Sequence, residues 1–198
     1  MSAYYGLCTS LDHNIGRIIG ALGNAGLADD TTMIYSSDYG DNLGARGLWG
    51  KSNMYEESAA VPLIVARPGQ EASVCETRVS LLDISATIPD HFGLTFQNDG
   101  PGKSLYQIAD QPTDKARTVL SEFHAAGAVT GAFMLRRGQW KLIHYVGFEP
   151  ELFDLAQDPE ELTNLAQNPT HKAILADMAK ALREICDPKA VNAQAHQD

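Results

Sequence analysis

Met33-Ile34-Tyr35-Ser36-Ser37-Asp38-Tyr39-Gly40-Asp41 carries the first clue to the architecture of this chain. A short β-prone run ends in an acidic residue and a glycine. Leu48-Trp49-Gly50-Lys51 and Tyr55-Glu56-Glu57 follow, so a lysine arrives in a Gly-rich loop just beyond the acid. α/β proteins place ligand chemistry at such strand ends and in the loops that follow them. Residues 32 to 36 and 61 to 66 are both short, apolar and bounded by Asp, Gly or Pro. That pattern predicts parallel strands joined through a long functional loop.

On the N-terminal side, Leu7, Leu11, Ile15, Ile18 and Leu22 fall at helical spacing and predict an amphipathic helix over residues 4 to 25, stopped at Gly26. Residues 79 to 92 read as a strand end followed by a helix that Pro89 kinks or ends. Residues 95 to 117 are polar and rich in Gly and Pro, which places a boundary there and divides the chain into residues 1–110 and 111–198. Beyond it, residues 119 to 123, 132 to 136, 140 to 145 and 152 to 155 predict four short antiparallel strands, with Arg137-Gly138 as a hairpin turn. Ile174, Met178, Ala181, Leu182 and Ile185 predict a helix packed across that sheet and ended by Pro188, with the last ten residues trailing along the surface or onto a partner.

Composition narrows the function classes. The 198 residues are 44% hydrophobic and 20% charged, a globular balance. A net charge of -10 argues against a nucleic-acid groove or a polybasic membrane patch, because either needs clustered Lys and Arg. No apolar run approaches the ~20 residues of a membrane span, and no secretory leader is recognisable, so the expected location is cytoplasmic. Cys8, Cys75 and Cys186 are odd in number and lack CxxC spacing, which predicts buried or inert thiols rather than a zinc site or a disulfide framework.

The order of several short motifs resembles the sulfatases of the alkaline phosphatase superfamily. Ser37-Asp38-Tyr39-Gly40 matches that family's Ser-Asp-His-Gly element, Gly50-Lys51 its Gly-Lys step, and Tyr55-Glu56-Glu57 and Val61-Pro62-Leu63-Ile64 the segments that follow. Leu82-Asp83-Ile84-Ser85-Ala86-Thr87 resembles the leucine-aspartate helix, and Gly102-Lys103-Ser104-Leu105 the Gly-x-Ser-Leu loop. Glu151-Leu152-Phe153-Asp154-Leu155, Asp158-Pro159-Glu160-Glu161 and Asn164-Leu165 resemble the C-terminal signature. Within the family, Ser121-Glu122-Phe123-His124 and Cys186-Asp187-Pro188 are most similar to bacterial choline-sulfatase-type enzymes.

The resemblance implies the C-terminal part of a three-layer α/β/α fold, followed by a small antiparallel α+β subdomain. It implies hydrolysis of a small sulfate monoester, assisted by a divalent metal, expected to be Ca²⁺, and by Lys or His donors around the sulfate. Asp38 then reads as a metal ligand, or else as an ordinary loop-capping aspartate. Lys51 reads as the sulfate-neutralising cation, or as a solvated lysine. His124 reads as a hydrogen-bond donor to the leaving group, or as a structural histidine. Glu56 and Glu57 either orient the site loop or solvate it. Tyr39 stands where the family has a His or Asn metal ligand, and a phenol titrating near ~10 ligates a hard cation poorly.

The family's nucleophile is a formylglycine made within Cys/Ser-x-Pro/Ala-x-Arg, upstream of the Ser-Asp-His-Gly element together with paired aspartates. This chain begins after that point, and Cys8-Thr9-Ser10-Leu11 does not supply the motif. The expectation is a truncated sulfatase, inactive alone, with strand edges left open for self-association or for a complementary N-terminal chain. Two other readings stay open: a phosphoryl or phosphonate ester hydrolase of the same superfamily, and a non-catalytic interaction module.

Overall fold

The architecture, seen in a computed structural model that describes residues 1–94, 100–125 and 127–197, begins with a long helix, α1 (Ser2–Asn24). A single turn of 3₁₀ helix leads to β1 (Met33–Ser36). The site loop follows, carrying the four-residue helix α2 (Glu56–Ala59), and β2 (Leu63–Ala66) closes the unit. Among the described residues no helix is long and apolar enough to cross a membrane.

β1 and β2 pair with each other, but antiparallel rather than parallel as expected: Met33 lies opposite Ala66 and Ser36 opposite Leu63. The reason lies in the connection. A parallel return needs a crossover that carries the chain back to the start of the first strand, usually on a helix. Here the loop holds only four helical residues and returns to the end it left, where Ser36 Oγ donates to the Pro62 carbonyl at 2.8 Å.

α3 (Leu81–His91) and α4 (Leu105–Ala109) follow β2. The leucine-aspartate motif works here as a structural hub. Asp83, fully buried, accepts from the Ser80 amide at 2.7 Å in a capping box and from the Lys103 amide at 2.8 Å. The Arg117 guanidinium engages both its oxygens, at 2.7 and 3.0 Å. One turn on, the buried Thr87 hydroxyl accepts from the Leu105 amide at 2.8 Å, so the Gly-x-Ser-Leu loop is moored to α3 at two points. Pro89 sits in the last turn of α3, where it withholds the amide that would bond back to the Ser85 carbonyl, and the helix ends two residues later at His91. Of the polar stretch expected over 95 to 117, residues 95–99 lie outside the described residues.

The four predicted strands form one antiparallel sheet in chain order: β3 (Thr118–Phe123), β4 (Ala132–Arg137), β5 (Trp140–Tyr145) and β6 (Glu151–Asp154). Arg137 pairs with Trp140, so the hairpin turn is Gly138-Gln139, one residue later than expected, with Gly138 at a φ of 55°. Strand alternation gives the sheet two different faces. Phe133, Leu135 and Leu142 pack against Met178 and Leu182 of α5 (Lys172–Ile185). Met134, Ile143 and Phe153 face the other way and pack with Met54 and Tyr55 of the site loop.

Pro188 does not end the second helix. α5 stops at Cys186, and Pro188 opens a further helix, α6 (Pro188–Ala195), whose N-cap Asp187 accepts from the Lys189 and Ala190 amides. The C-terminal segment therefore docks rather than trails. Val191 packs with the α5 core, and Asn192 Oδ1 accepts from the Gly131 amide at 2.6 Å. Cys8 and Cys75 are exposed and Cys186 is half-buried, so of the expected alternatives, buried or inert, burial does not hold.

Candidate functional site

The loop between β1 and β2 is built by close backbone approach and left-handed turns. A Cβ on Gly40 would lie 2.0 Å from the Glu57 carbonyl oxygen, and the Gly40 amide donates to the Ser58 carbonyl at 2.9 Å, so only glycine fits beside α2. Buried Asn42 pins the far end of the turn, donating from its side chain to the Gly50 carbonyl at 2.6 Å and from its backbone at 2.8 Å. Lys51 lies between Gly50 at a φ of 73° and Ser52 at a φ of 94°. Such positive φ at a non-glycine residue is uncommon, and backbone strain concentrates at ligand sites.

This geometry brings Tyr39 and Lys51 together. The Lys51 ammonium sits over the Tyr39 ring, 3.0 Å from its centroid, and both side chains are exposed. Asp38, adjacent in the chain, is also exposed and lies at the lip of a cleft of about 420 Å³, which Glu56, Arg78, Ser121 and Arg136 also line. His124 lies elsewhere. Its ring packs edge-on against Phe133, on the α5 face of the sheet, and a ring nitrogen is 3.2 Å from Glu122 Oε2. A Cβ on Gly131 would meet that ring at 2.6 Å. Among the described residues, no contact joins His124 to Asp38, Tyr39 or Lys51.

The donor set bears on the metal that the resemblance implies. Asp38 fits as one oxygen ligand for a hard cation. Tyr39 does not fit as a second, because a phenol ligates a hard cation poorly and its ring already seats the Lys51 ammonium. Among the described residues, no group of three or more His, Cys, Asp or Glu could hold a metal ion. The nearest approach to the nucleophile motif, Cys186-Asp187-Pro188-Lys189-Ala190, lacks the arginine. Burial, with Glu122 and Asp187 nearby, also pushes the Cys186 thiol up, away from a reactive thiolate.

Several residues that organise this loop were not singled out by their sequence context. Arg46 pairs with Glu57, donates to the Glu160 carbonyl at 2.5 Å and lies 4.1 Å from the Tyr55 ring centroid. Burial works to raise Glu57, but that guanidinium, together with a backbone hydrogen bond and Lys141, outweighs it and lowers the carboxyl below its ordinary value. Tyr55 and Tyr145 both donate to Glu151, at 2.9 and 3.2 Å. Burial and that carboxylate push Tyr55 up to about 12 and raise Tyr145 as well. Lys141, on β5, is fully buried between Glu56 and Glu161, 2.8 Å from each. Burial raises Glu161 above the usual carboxylate range, partly offset by that lysine.

Comparison with known proteins identifies the family. Residues 44–187 match the family described as N-sulphoglucosamine sulphohydrolase, C-terminal. The chain is 39% identical over 171 residues to a choline-sulfatase of Rhizobium meliloti, covering 84% of this chain and 33% of that protein. It is 35% identical over 206 residues to arylsulfatase K of Mus musculus, covering 98% of this chain and 37% of that protein. Among solved structures, a phosphonate monoester hydrolase from Silicibacter pomeroyi superposes with a TM-score of 0.82 at 30% identity, over 91% of this chain and 39% of that one. A protein solved in complex with its substrate D-glucosamine-2-N,6-O-disulfate gives a TM-score of 0.77 at 28% identity, over 90% of this chain and 38% of that one. The chain thus spans about a third of the length of the curated relatives it matches. With its strand-end Asp-x-Gly, its Gly-Lys loop and its C-terminal sheet all in the family's order, the chain belongs to the sulfatase family and corresponds to that family's C-terminal part.

Proposed function

We propose that this chain provides the C-terminal share of a sulfuric ester hydrolase acting on small sulfate monoesters, with Lys51 as the cation that meets the sulfate. The observation that carries this reading is the Lys51 ammonium, held on a strained, exposed loop over the ring of Tyr39, the residue that follows Asp38 in the chain. A sulfuryl group being transferred is helped by a fixed positive charge at its non-bridging oxygens, and an ammonium already seated on an aromatic ring needs little reorganisation to supply it. Asp38 would give one oxygen to a divalent cation, Ca²⁺ in this proposal, and the cation when bound would neutralise sulfate charge. The remaining donors and the nucleophile would come from polypeptide beyond the residues of this chain. His124, packed on Phe133 and bonded to Glu122, is assigned a structural role in this reading.

A second reading, phosphonate or phosphoryl ester hydrolysis, draws support from the likeness to the phosphonate monoester hydrolase. The test is to assay the purified chain against a chromogenic aryl sulfate and the matching aryl phosphate, with and without calcium. The half-site reading expects no release from either ester. Calcium-dependent release from the sulfate would show that a complete site forms within this chain and would overturn the division of labour proposed. Preferential release from the phosphate would favour the second reading.

A further inference from the structure

The face of the β3–β6 sheet that meets the site loop sets buried cations beside an apolar cluster. Met134, Ile143 and Phe153 form its apolar part, and Arg136 and Lys141 stand in the same alternation. Lys141 has no exposure, and neither does the Glu161 side chain. The Lys141 ammonium donates to Glu56 Oε1 at 2.8 Å and is ion-paired with Glu161 Oε1 at the same distance, without good hydrogen-bond alignment at the latter. Glu161 Oε2 in turn accepts from the Glu56 amide at 2.6 Å, and Glu161 has a left-handed backbone, φ 53°, in a turn after β6. Glu56 opens α2, on the same loop as Lys51.

We propose that Lys141 is a positioning residue for the site loop: its buried ammonium, shared by Glu56 and Glu161, locks the segment carrying Lys51 onto the C-terminal sheet. A buried ammonium without its carboxylates is strongly unfavourable, so any loop position that withdraws Glu56 leaves a charge poorly compensated. An apolar contact in its place would tolerate sliding, because dispersion and burial are not directional. The lock therefore fixes which conformation the loop adopts rather than how stable the molecule is. Buried ion pairs often add little net stability, and in some systems they select one arrangement over its neighbours. Further ties act in parallel: Arg46 to the Glu160 carbonyl, Tyr55 to Glu151, and Met54 within the apolar cluster. The Lys141 cluster differs from these in joining the backbone start of α2 to the middle of a sheet strand through charge.

The consequence for chemistry rests on the reading of Lys51 given above, but the coupling is measured without ligand, so one can fail while the other stands. The test is amide hydrogen exchange, resolved by residue, on the whole chain and on the neutral variant Lys141→Met, Glu56→Gln, Glu161→Gln. Each substitution keeps approximate volume, and Glu161→Gln retains a side-chain acceptor for the backbone amide at position 56. Exchange over residues 40–60 should rise at least tenfold in the neutral variant, while the amides of β4, β5 and α5 exchange as in the parent. The single variant Lys141→Met, which leaves two carboxylates facing an apolar methionine, should raise loop exchange further and lower the thermal midpoint. Unchanged loop exchange in the neutral variant would overturn the proposal. So would a uniform rise across loop, sheet and α5, since that is the signature of a cluster that merely stabilises the fold.

Discussion

Gly40 shows how tightly a single position is determined in this loop. A methyl group there would meet the Glu57 carbonyl at 2.0 Å, and that atom is backbone at the start of α2, so it cannot swing aside. Gly40→Ala should therefore cost about 2–3 kcal/mol, as overpacking against a fixed partner does. Urea denaturation checks this, and a change within ~0.5 kcal/mol would mean that the loop has room to shift. Elsewhere in the same loop's surroundings, Tyr55, raised to about 12, and Tyr145, also raised, share Glu151. A folded pKa above the unfolded value of ~10 means the stability involved is whole below pH ~10. It is lost as pH rises from there towards about 12, where Tyr55 ionises in the folded protein. An absorbance titration of tyrosinate should show two of the seven tyrosines ionising late, and Glu151→Gln should bring both earlier. Asp38, Gly40 and Lys51 are legible in the sequence because a strand end, a glycine and a Gly-Lys step are local signals. Lys141 is harder to see, although a signal exists: Trp140-Lys141-Leu142-Ile143 is apolar on both faces, so its lysine has to be buried and paired.

Elements are most legible where one period governs them. The strands of the C-terminal sheet and the helix α1 fall within one or two residues of their expected bounds, and α3 and α5 form where helices are expected, because alternation and 3.6-residue spacing are local properties; the strand end expected at residue 79 does not form. Strand direction is not local. It depends on whether the chain crosses over between β1 and β2, and the short α2 turn inside that connection is too small to announce itself. Pro188 departs from expectation for a different reason: proline both follows helices and starts them, and Asp187 as N-cap decides the case here. Asp187→Ala should cost about 1 kcal/mol through loss of that cap. Met178→Ala, at the centre of the dry face between α5 and the sheet, should cost about 2–5 kcal/mol. Chemical denaturation of the two variants side by side tests whether α6 is a docked but peripheral element. Equal losses would place it in the core instead.

At the scale of the whole molecule, the apolar stripe of α1 finds no cover among the described residues. None of its residues is buried, and Leu7, Leu11, Ile18 and Ile19 are exposed, as is Ile64 of β2. Exposed apolar surface of this kind drives association. The isolated chain should therefore run above 21.4 kDa by light scattering, and Leu11→Glu with Ile18→Glu should lower that mass. A monodisperse monomer at micromolar concentration would contradict the expectation. The functional reading stands on a sulfate-facing site organised around Lys51. Its decisive check is titration of the chain with sodium sulfate, followed by amide resonances against sodium chloride of equal ionic strength. Saturable shifts confined to residues 38–51, and lost in Lys51→Met, are the expected result. Shifts that persist in Lys51→Met, or that leave this loop untouched in the parent chain, would show that Lys51 does not meet the sulfate.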